Sequence, residues 1–109
     1  MADFTTMVLN FDGSEMPDEL SGGGHALTVG RAIAHALTKE APGGVAVDAD
    51  EKIKRAKIAI RLHDAKAAVM DTAETELVKE LVTQLYNPMV VHRVFPLIDA
   101  ATAPTKGKR

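Results

Sequence analysis

The stretch Asp48 to Val69, DADEKIKRAKIAIRLHDAKAAV, constrains the fold more than any other part of the chain. No glycine or proline interrupts it, and Ala, Lys, Arg and Leu are strong helix formers. Asp48 reads as the N-cap, with Glu51 three residues on as its capping-box partner. Asp50 and Glu51 also set negative charge near the positive end of the helix dipole. At about 100° per residue, Ile53, Ala56, Ile60 and Ala67 share one stripe. Ile58, Leu62, Ala65 and Val69 share a nearly opposite one. A surface helix needs one apolar face. Two such faces predict a long central helix, covered on both sides by its own fold or by its fold and a second chain.

Charge on this helix is one-sided. Lys52, Lys54, Arg55, Lys57, Arg61 and Lys66 lie between and around the stripes, and only Asp64 opposes them beyond the cap. A basic helix can meet phosphates or an acidic protein. A solvated face, whose long side chains cover the flanks of the apolar stripes, accounts for the same residues. If the face binds a partner, Lys54, Arg55, Lys57 and Arg61 are the candidate contacts. Residues 1–30 have the opposite bias: Asp3, Asp12, Glu15, Asp18 and Glu19, with no Lys or Arg. Docking of this acidic part near the basic helix, within one chain or across a dimer, follows from simple complementarity.

Along the chain, FTTMVLNF (residues 4–11) is rich in β-branched and aromatic types. Alternation puts Met7, Leu9 and Phe11 on one face and Thr6, Val8 and Asn10 on the other. Asp12-Gly13 favours a two-residue hairpin turn, and Pro17 limits the return strand, so a β-hairpin is predicted over 4–16. The loop PDELSGGGHAL follows. Its glycines match neither GxxxxGK[ST] nor GxGxxG, and a mobile loop accounts for them better than a phosphate cradle. Thr28 can cap a helix over 29–40, with Val29, Ala32, Ile33, Ala36 and Leu37 as its stripe. Gly30 permits close approach of a neighbour, and Ala41-Pro42-Gly43-Gly44 ends the element. After the central helix at 49–69, Asp71 and Glu74 repeat the capping box for a helix over 73–86, lined by Leu77, Val78, Leu81, Val82 and Leu85. Asn87-Pro88 opens a last, very apolar helix over 88–100, which Pro96 should kink or end. Residues 102–109 read as a disordered basic tail.

Catalytic chemistry finds little support. The absence of cysteine removes disulfides, thiol catalysis and the usual structural zinc sites. Ser14 and Ser21 are the only serines, and no GxSxG elbow is present. His25, His35, His63 and His92 are scattered. His63 and Asp64 are adjacent in a helix and so point apart. The expectation is a non-enzyme without cofactor or metal. Phe4, Phe11, Phe95 and Tyr86 are the only aromatic residues, so the stacking platforms of single-strand binders are missing. The joint between the helices at 29–40 and 49–69 is too long for a helix-turn-helix. No apolar run is long enough to cross a bilayer, and no signal peptide is evident, which makes the cytoplasm the expected location.

The pieces NFDGSEM, LTVGRAI, EKIKRAKIAIRL and LVKELVTQLYNPMVVHRVFPLID together resemble, in layout, small accessory proteins encoded in tailed-phage and prophage genomes. That resemblance implies a role in virion assembly or in control of the host, located in the host cytoplasm or the virion. It transfers no site residues. The expectation as a whole is an α+β, mainly helical domain over residues 1–101. A hairpin packs on about four helices around the long central one. The chain self-associates and binds a protein partner. The alternative is a nucleic-acid-associated regulator that uses the basic helix.

Overall fold

Each of the four α-helices among the described residues opens on a side chain that accepts a backbone N–H three residues on. Thr28 takes that of Arg31, Asp48 that of Glu51, Asp71 that of Glu74 and Asn87 that of Val90. The computed structural model describes residues 1–22, 24–39 and 48–102. Its helices are α1 (Val29–Thr38), α2 (Ala49–Leu62), α3 (Thr72–Leu85) and α4 (Pro88–Ala101). A three-residue 3-10 turn, Glu19–Ser21, precedes them. The expected helix stop at residues 41–44 and the basic tail, apart from Thr102, lie outside the described residues.

The hub is α1, not α2. Six of its residues are buried: Val29, Gly30, Ala32, Ile33, Ala36 and Leu37. It packs against α2, α3 and α4 in turn. Only Ile58, Ala59 and Leu62 are buried on α2. The long charged segment is therefore a flank, and the short apolar one is the centre. Small residues decide this. Gly30 sits so close to the end of α2 that an added methyl would run into the His63 carbonyl and come within 2.7 Å of the Leu62 carbonyl oxygen. From α3 the core takes Val78 and Val82, and from α4 it takes Val90, Val94, Ile98 and Ala101. Thr75 and Thr102 join α3 to the end of α4 through a 2.8 Å hydroxyl contact. Pro96 lies inside α4 without ending it. It is on the exposed side, where water can meet the carbonyl of His92 that lacks its donor.

The expected hairpin is overturned: among the described residues no strand forms, and the class is helical rather than α+β. The turn itself exists. Asn10 N–H donates to the Ser14 carbonyl at 2.8 Å, Gly13 N–H to that of Asn10 at 2.9 Å, and Gly13 has φ +87°. Leu9 and Glu15 form one isolated bridge across it. No ladder grows from there, because the backbone bonds are shared among several neighbours. Val8 N–H donates to Leu27 while its carbonyl accepts from Met16, and Phe4 N–H goes to Ala65. Pro17, one residue further, has no N–H to give. A tight turn at Asp3–Thr6 also breaks the expected alternation. Phe4 and Val8 are the buried pair, while Met7 and Phe11 point out.

The central segment also departs from expectation, stopping at Leu62 instead of Val69. Beyond a turn at His63-Asp64 the chain bends at residues 66–67 and is extended from Ala68 to Met70. Ala68 exchanges backbone bonds with Ala2, and Met70 N–H donates to Ala101. Ala68 and Met70 are buried while Val69 is exposed, the period-two pattern of an extended segment. Tertiary pairing here overrides strong local helix propensity.

Candidate functional site

The side of α2 that turns from α1 is built by its own periodicity. Ile58 and Leu62 face the core, which places Ile53, Lys57 and Ile60 on the outer side. Ile53 is 53% exposed and Ile60 72%. The expectation that both stripes are covered thus fails within one chain: Ile58 and Leu62 are packed, Ile53 and Ile60 are exposed, Ala56 is half-buried, and Val69 of the packed stripe is exposed. Exposed aliphatic residues are ordinary when scattered. Here two sit seven residues apart on one helix face; Ile53 lines a depression of about 520 Å³ with Asp50, Lys54, Lys57, Arg61 and Glu74, among others, and Ile60 lines a separate one with Arg31, Ala34 and His63, among others.

The four basic candidates divide into two kinds. Arg55 is half-buried and turns back to Glu51, its Nε 3.0 Å from Oε2. Glu51 thus serves this ion pair, while Asp48 does the capping alone. Arg61 grips Glu74 with both prongs, Nη1 to Oε2 at 3.1 Å and Nη2 to Oε1 at 2.7 Å. That bidentate bond, from the carboxylate that also closes the α3 capping box, raises the guanidinium pKa above its usual value. Both arginines are thus occupied in holding α2 and its junction with α3. Lys54 and Lys57 are exposed and have no ion-pair partner among the described residues. The exposed face therefore carries two isoleucines and two ammonium groups without an ion-pair partner among the described residues.

A second cluster centres on Asp18, which is almost wholly buried. His35 Nε2 lies 3.0 Å from its Oδ1, and Arg31 Nη1 3.5 Å from its Oδ2. Two α1 side chains thereby pin the loop that follows Pro17, a pairing that compensates the buried carboxylate. Nearby, a cleft of about 410 Å³ runs between this loop and the α3–α4 joint. The Tyr86 hydroxyl is buried at its edge without a hydrogen-bond partner among the described residues. Burial, with the Asp18 charge adding to it, pushes the hydroxyl pKa well up. The cleft is suited to a bridging water. Sequence reasoning left Asp18 as one loop acid among several, because its partners lie thirteen and seventeen residues away.

Phe11 is the third feature. It stands at the tip of the Asp12-Gly13 turn, 83% exposed, with Asp12 and Glu15 exposed beside it. Alternation groups it with Met7 and Leu9, and Met7 is exposed as well. Among the described residues no three His, Asp or Glu side chains are grouped to hold a metal, and no helix is long and apolar enough to cross a membrane. Comparison with protein families, with curated proteins and with solved structures finds no match.

Proposed function

We propose that this chain is a non-enzymatic protein-interaction module that docks its partner on the bare face of α2. The observation that carries this reading is the pair Ile53 and Ile60, standing in water with Lys54 and Lys57 beside them. Such a face fits a protein surface with an apolar centre and an acidic rim: the isoleucines supply the burial and the lysines the register. Phosphate recognition is the weaker use of the same residues. Two of the four basic candidates are already tied to carboxylates, and isoleucines occupy the middle of the face. The phage-encoded setting suggested by the sequence layout would make the module a virion-assembly protein, or an adapter or inhibitor of a host protein.

Site-specific photo-crosslinking tests the reading. A benzophenone side chain at position 60 should give defined protein adducts, and Lys54→Glu with Lys57→Glu should abolish them. Adducts that persist unchanged through the charge reversal would overturn the assignment of this face. So would a DNA or RNA gel shift at low salt that fades steeply as salt rises, since that signature belongs to phosphate neutralisation.

A further inference from the structure

We infer that the partner seated on the α2 face is a second copy of this chain, which inserts the turn around Phe11. The inference rests on the reading of that face as a protein-docking surface. The two patches are complementary in kind. One presents Ile53 and Ile60 with Lys54 and Lys57, and the other presents Phe11 with Asp12 and Glu15. The exposed carboxylates of the turn, Asp12 and Glu15, are thus opposite in sign to the exposed Lys54 and Lys57 of α2.

The turn is also preorganised. Asp12 Oδ1 accepts from the Ser14 N–H at 3.0 Å and from its hydroxyl at 2.6 Å. Asn10 Nδ2 donates to the Ser14 hydroxyl oxygen at 3.0 Å. From beneath, Arg93 of α4 donates to the carbonyls of Leu9 at 3.3 Å and Asn10 at 3.2 Å. A large aromatic side chain held out on a fixed turn loses little conformational entropy when it is covered.

Within one chain Phe11 and Ile60 are both exposed, so neither covers the other. The contact therefore joins unlike patches on two copies. Two copies that dock reciprocally close into a two-fold dimer, and a single head-to-tail contact propagates into rings or filaments.

Sedimentation velocity on the full chain tests this with two surface variants, Phe11→Ser and Ile60→Asp, each checked for native helicity. The wild type should associate with rising concentration, and less so at high salt. Each variant alone should associate about tenfold more weakly or worse, since each loses one large apolar contact. Mixed together, they should form a one-to-one pair, because one retains the α2 face and the other retains the turn. A wild type that stays monomeric at every concentration would overturn the inference, while the crosslinks at position 60 would still judge the docking face. If Phe11→Ser associates like the wild type and Ile60→Asp does not, the turn is not the occupant and the face stands. If association survives Ile60→Asp, both the inference and the reading beneath it fall.

Discussion

Gly30 is where a single missing methyl sets the geometry of the molecule. Its N–H donates to the Phe4 carbonyl at 2.8 Å, and its α-carbon lies against the last carbonyls of α2. Helix propensity alone favours alanine over glycine by up to about 1 kcal/mol. The obstacle is backbone, which cannot swing aside as a side-chain tip would, so the clash dominates. Gly30→Ala is expected to destabilise the fold by about 1–3 kcal/mol, read as a lower urea midpoint with an unchanged slope. A glycine in a helical pattern was visible in the sequence as permission for close approach. Which backbone comes close was not, because His63 lies 33 residues away and on a turn that local propensity does not foresee.

At the scale of elements, caps explain where the helices begin, and tertiary contacts explain where α2 ends. All four N-caps sit at residues whose side chains mark them in the sequence. The full capping box forms on α3, where Asp71 accepts from Glu74 N–H at 2.7 Å and Glu74 accepts from Asp71 N–H at 3.2 Å. Asp71→Ala should cost about 1 kcal/mol of stability, measured by thermal or urea unfolding. The Arg61–Glu74 grip survives that change, so the joint of α2 with α3 should remain in place. The end of α2 obeys a different rule. Residues 63–69 have the propensity to continue a helix, yet pairing of Ala68 with Ala2 and burial of Met70 require extended chain. The failed hairpin has the same cause: a turn was legible, but its flanking backbone groups found partners in other elements.

Over the whole molecule, α2 is a two-sided element of which one chain covers one side. The contrast can be read within a single turn of helix. Leu62→Ala, at a side chain only 1% exposed, should cost about 2–5 kcal/mol of folding stability. Ile60→Asp, at 72% exposure, should leave stability within about 0.5 kcal/mol while removing association. Urea unfolding and sedimentation on the same two proteins separate a packing role from a docking role. The basic candidates needed the fold to be sorted. Spacing alone put Lys54, Arg55, Lys57 and Arg61 together, whereas Glu51 and Glu74 already pair the charges of the two arginines.

By itself the sequence determined what depends on near neighbours: the four caps, the helical faces, the turn at Asp12-Gly13, and the opposed charges of the first thirty residues and of α2. Each follows from interactions three or four positions apart, which periodicity records. Only the tertiary structure decided that α1 is the hub, that α2 lies at the flank with Ile53 and Ile60 bare, that Asp18 is buried under Arg31 and His35, and that Phe11 faces outward. Those outcomes turn on which distant backbone and side-chain groups compete for the same partner, and local pattern does not encode the winner of that competition.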